Sequence, residues 1–133
     1  MLKYLDRFKC NEDVADQFSG FNPDYDNDLS PEKPERDQIL ALLNSSEVLL
    51  AWYGGGCYDG SALVIYRHEG TLYEVNGGHC SCYGLEGQWR PERTIYKALA
   101  AKDPTNVDAD QEFVEAYNEM LDILKKDQEN GIK

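Results

Sequence analysis

The sequence predicts an α+β fold: a small antiparallel sheet of about three strands, with flanking helices packed on one face. Three observations carry this expectation. A polar, proline-bearing zone opens the chain, strand-forming runs punctuated by glycine fill its middle, and the last third repeats apolar residues at helical spacing. With 133 residues the chain is one domain, 1–133, with an acidic connector over 11–37, the sheet over 47–76 and helices over 91–128.

Taken in order, Cys10 to Phe18 fits a short helix. FNPDYDNDLSPEKPE carries three prolines and few apolar residues, which suits a loop. Ser30 before Pro31 is a helix start, and Ile39, Leu40, Leu42 and Leu43 give that helix an apolar face to about Asn44. Glu47 to Tyr53 (EVLLAWY) reads as a strand ending in Gly54-Gly55-Gly56. Ser61 to Arg67 and Thr71 to Val75 read as a hairpin turning at His68-Glu69-Gly70. Alternation over Leu72 to Val75 leaves open which face is buried. Asn76-Gly77-Gly78 ends the third strand, and the HCSC patch then forms the turn into a helix at Pro91, with Ile95, Ala98 and Leu99 on one face. Asp103-Pro104 stops that helix. Asn106 or Asp108 caps a last one, in which Phe113, Tyr117, Met120, Leu121 and Leu124 form an inward stripe. Its opposite side carries Glu112, Glu115, Glu119 and Asp122, and Asp122 with Lys126 makes an i, i+4 pair.

Charge is the strongest global feature: 25 acids face 13 bases, for a net charge of −12. Residues 11–37 hold nine acids against two bases, and 103–133 hold nine against three, while 47–97 hold six against four. Such a surface repels phosphates, which argues against direct nucleic-acid binding and favours a basic protein partner. Asp24, Asp26 and Asp28 at one end and Glu112, Glu115, Glu119 and Asp122 at the other are the candidate partner-binding residues. Regularly spaced carboxylates of this kind can imitate nucleic-acid phosphates. Asp24 to Asp28 also imitates the start of a calcium loop, but Leu29 stands where that loop needs glycine and Pro31 follows. Met1 to Cys10 is too charged for a signal peptide or membrane span, so the expected location is the cytoplasm, with the four cysteines as reduced thiols.

NGGHCSCYGLEGQW concentrates the remaining chemistry. Cys57, His79, Cys80 and Cys82 would make a Cys3His zinc set, although ligands at 79 and 80 are adjacent and point apart in extended chain. Without zinc, no cofactor is implied, and a buried cysteine packs as a small apolar residue. A cysteine nucleophile with His79 or His68 as base and Glu86 as orienter is a third reading, matched by no hydrolase signature. Trp52, Tyr53, Tyr58, Tyr66, Tyr73, Tyr83 and Trp89 are expected mainly to cover the sheet.

GSALVIYRHEGTLYEVNGGHCSCYGLEGQWRPE, residues 60–92, resembles a group of small phage- and prophage-encoded proteins. The resemblance rests on Tyr73 to Asn76, His79 to Glu86 and Gln88-Trp89, about a quarter of the chain. It implies a phage setting; with the −12 net charge and the lack of a complete catalytic constellation, the expectation is a non-enzymatic accessory protein that binds and inhibits or modulates a host protein in the host cytoplasm. Anti-CRISPR or anti-restriction action is one form this could take. The zinc domain and the cysteine enzyme are the alternatives.

Overall fold

The computed structural model describes residues 4–6, 8–18, 36–54, 59–80, 89–101 and 111–129. In chain order they form β1 (Tyr4–Asp6), α1 (Asn11–Phe18), α2 (Arg36–Asn44), β2 (Glu47–Tyr53), β3 (Asp59–His68), β4 (Thr71–Cys80), β5 (Glu92–Thr94), α3 (Tyr96–Ala100) and α4 (Gln111–Glu129). The fold is α+β. Its single sheet has the order β1-β2-β3-β4-β5, antiparallel from β2 to β5, with β1 added parallel to β2 at one edge. No helix among the described residues is long and apolar enough to cross a membrane.

β2 organises the core. Every residue of it after Glu47 is buried. A strand covered on one side alternates apolar and polar residues, whereas one covered on both reads as an unbroken apolar run, as EVLLAWY does. Val48, Ala51 and Tyr53 pack in one cluster with residues of α1 and α2, notably Val14, Phe18, Ile39 and Leu43. Leu49, Leu50 and Trp52 pack in another with Leu99 of α3 and Phe113, Tyr117, Met120 and Leu124 of α4. β3 divides likewise, Ala62, Val64 and Tyr66 to the first cluster and Leu63 and Ile65 to the second. The helices expected on one face therefore lie on both, because β2 and β3 have two apolar faces to bury. Fully burying one side chain of this size is worth about 1.5–3 kcal/mol.

A register shift between Val48 and Leu50 leaves Leu49 as an extra residue against β3. Leu49 and Leu50 consequently share a layer although they are neighbours. The parallel β1–β2 pair requires a crossover, which α1 and α2 supply. These two helices are tied at both ends: the Arg36 side chain pairs with Asp16, and Asn11 Nδ2 donates to Asn44 Oδ1 at 3.0 Å.

Several boundaries differ from expectation. β4 runs on through Asn76-Gly77-Gly78 to Cys80, because β3 starts at Asp59 and offers ladder partners along its whole length. The segment after Pro91 starts as a strand, pairing Glu92–Thr94 with Leu72–Glu74, before α3 begins at Tyr96. That places Ile95 at 62 % exposure instead of on an inward face, while Leu99 is buried. The β3–β4 turn is the two-residue Glu69-Gly70, with φ of 52° and 81°. Both values are left-handed, as such a hairpin turn needs, which glycine accommodates and glutamate adopts at a cost. Ser30 and Pro31 lie outside the described residues.

Aromatic side chains close the first layer. Tyr66 stacks between Tyr73 and Trp89, with centroids 5.2 and 6.0 Å away, and Trp89 meets Phe18 edge-on at 5.2 Å. Trp52, Tyr53, Tyr66 and Trp89 are all core residues, as expected for most of the aromatics.

Candidate functional site

α4 is amphipathic by spacing. Phe113, Ala116, Tyr117, Met120 and Leu124 recur every three or four residues and are buried. Glu112, Glu115, Glu119 and Asp122 recur at the same interval on the other side, and all four are exposed. Steps of 100° per residue put these four within roughly a quarter of the helix circumference. They form a continuous carboxylate stripe about three turns long.

Three contacts fix the helix that carries this stripe. Near its N-terminal end, Phe113 lies against Trp52 with centroids 4.1 Å apart. At its middle, Tyr117 Oη donates to Leu99 O at 2.7 Å, tying α4 to α3. Burial, with the nearby Glu74 charge, pushes the Tyr117 hydroxyl up to about 12, so it remains a donor throughout the physiological range. Near the C-terminal end, Arg67 of β3 pairs with Asp127 at 3.1 Å and with Glu47 of β2. Burial pulls the Arg67 guanidinium down, but its hydrogen bonds to Glu47 and Asp127 outweigh that and leave it above its ordinary value. Among the described residues no ion pair joins Asp122 to Lys126, so the pair expected from spacing is not formed.

The acids of the N-terminal zone divide between two situations. Asp24, Asp26 and Asp28 lie outside the described residues. Glu12, Asp13, Asp16 and Asp37 sit on α1 and α2, across the sheet from α4. Described acids from the two ends of the chain therefore do not merge into one face, and the contiguous acidic surface among them is that of α4.

Of the expected zinc set, Cys57 and Cys82 lie outside the described residues. His79 and Cys80 are the last two positions of β4, in register with Gly60 and Asp59. Among the described residues no group of three or more His, Cys, Asp or Glu is placed to hold a metal ion. Glu86, the proposed orienter of a cysteine nucleophile, also lies outside them. Cys10 has a thiol raised by its hydrogen bond to Glu12, which favours the unreactive protonated form.

Two polar arrangements were not foreseen from sequence. Glu74 is 7 % exposed on the α4 side of the sheet, where Asn76 Nδ2 donates to its Oε1 at 2.9 Å. His68, considered as a base for a cysteine, has its Nδ1 2.9 Å from Ser46 Oγ. Those residues are 22 apart in sequence, and no local signal links them. Comparison with protein-family models, curated proteins and solved structures finds no match for this chain.

Proposed function

We propose that the protein is a non-enzymatic accessory protein that binds a partner with a basic surface through the acidic stripe of α4. The single observation supporting this reading is the division of α4, whose apolar face is spent in the core while Glu112, Glu115, Glu119 and Asp122 all stay exposed. A helix held by Trp52, Leu99 and Arg67 presents those carboxylates in fixed order, so little side-chain and backbone freedom remains to be lost on binding. Charge of one sign also speeds encounter with a basic partner, in a manner that falls with salt. The HCSCYGLEGQW resemblance supports a phage setting, in which the partner is a protein of the bacterial host and binding inhibits or modulates it, as in anti-defence.

The test compares the native chain with the E112K/E115K/E119K/D122K variant as baits in host lysate, at low and moderate salt, after circular dichroism has checked that both fold. A partner recovered by the native chain, released by salt and lost in the variant is the expected result. If the native chain recovers no specific partner, or the variant keeps it, the reading fails.

A further inference from the structure

The hydrogen bonds at the β3–β4 turn define the state of His68, independently of α4. The Ser46 hydroxyl has one hydrogen and two neighbours. Leu42 O, 2.6 Å away in the last turn of α2, can only accept, so the hydroxyl donates there. The 2.9 Å contact between Ser46 Oγ and His68 Nδ1 then requires the ring to donate. A neutral His68 is thereby fixed as the Nδ1–H tautomer, and its Nε2 carries a bare lone pair.

That lone pair faces a carboxylate. His68 Nε2 lies 3.9 Å from Glu69 Oε1, with the His68 side chain 26 % exposed and the Glu69 side chain 85 % exposed. With the ring neutral, two acceptors face each other at the hairpin tip, where glutamate occupies a left-handed position that suits glycine or asparagine better. A histidine whose far nitrogen is held by a hydrogen-bond relay, beside a carboxylate, has the arrangement of a metal ligand with its orienting second shell. Imidazole with carboxylate suits a divalent ion of borderline softness such as zinc.

We infer that His68 Nε2 and the Glu69 carboxylate form a two-ligand site for a divalent transition-type cation, oriented by Ser46 and the Leu42 carbonyl. Rotation of the exposed Glu69 side chain closes the pair around the ion. Water fills the remaining positions, which makes the site weak and exchangeable. It uses none of Cys57, His79, Cys80 and Cys82.

The experiment follows imidazole nitrogen resonances of the full chain during titration with zinc at neutral pH. The chain has two histidines, so His79 reports independently on metal reaching the cysteine-bearing segment, and a His68→Gln variant assigns the signals. Expected are a His68 ring with Nδ1 protonated and Nε2 bare before metal, and a saturable shift of Nε2 on adding it. Glu69→Gln should weaken the apparent affinity about tenfold or more, and Ser46→Ala by a comparable factor through loss of the tautomer lock. The inference is overturned if Nε2 carries a proton before zinc is added, in either the neutral or the imidazolium ring. A His68 signal that stays still to millimolar zinc overturns it too, as does unchanged affinity in both variants.

Discussion

The Trp52 indole lies flat over Gly54, in the space where any side chain at that position would begin. Gly54 N donates to Ser61 O at 2.9 Å, so the backbone beneath the ring is also pinned. Among the described residues the Trp52 Nε1 has no hydrogen-bond partner. The indole is therefore held by shape, between Gly54 below and Phe113 above. Gly54→Ala should drive it out of place and destabilise the protein by about 1–3 kcal/mol, the usual cost of overpacking. Urea unfolding with tryptophan fluorescence checks both the loss and the displaced ring, and a fully native-like variant would contradict the contact.

The hydrogen bond from Tyr117 to Leu99 O can be removed with little change of shape. Tyr117→Phe leaves the carbonyl without that donor and should cost about 0.5–1.5 kcal/mol. Amide exchange should quicken in α3. Unchanged protection across Tyr96–Ala100 would argue that the bond contributes nothing.

Alkaline pH should act on the same residue. Burial raises Tyr117 and Tyr66 to about 12, Glu74 adding to the shift at Tyr117 and Tyr73 at Tyr66. A group raised in the folded state stabilises fully below its unfolded value, here about 10, and loses that contribution as pH climbs towards the folded value. Unfolding free energy should thus hold steady up to about pH 10 and then fall towards pH 12. The fall should be shallower in Tyr117→Phe, and equal slopes would refute the assignment.

Arg67 joins the end of α4 to the sheet by an ion pair. Arg67→Met keeps the length of the stem but removes the pairs with Glu47 and Asp127. The expected loss is about 1–2 kcal/mol, reduced from the value for charged hydrogen bonds because Glu47 is half-exposed. Amides in the last turns of α4 should lose protection before the rest of the helix does. Uniform loss along the helix would place its anchorage elsewhere.

How much of this was legible beforehand depends on the distance over which each feature is decided. β2 came out at its expected ends because strand formers and the following glycines are local signals. The buried and acidic sides of α4 were equally open to reading, since period 3.6 is written into the residues themselves. The same EVLLAWY run also announced two covered faces through its lack of alternation, a signal the one-face expectation passed over. β1 and β5, at three residues each, are decided by the partner they reach and leave almost no local trace. Glu74 made the face of β4 ambiguous because a buried carboxylate breaks the polar-out rule. The acids of the candidate surface were legible as residues. That those on α1 and α2 stand across the sheet from α4 was not, because layer assignment is a tertiary outcome. The Ser46–His68 pair belongs to the same class.

The extra residue in β2 has a consequence for how the chain tolerates change. Trimming most strands by a single position would turn the upstream half inside out. Here, excising Leu49 would delete the surplus member of a same-side doublet, so Val48 and Leu50 would fall into ordinary alternation without either swapping sides. The molecule would lose one leucine from the layer beneath α4 and draw α2 closer by one strand step, yet keep its inside and outside. A shortened relative is therefore easiest to reach at this point of the sheet.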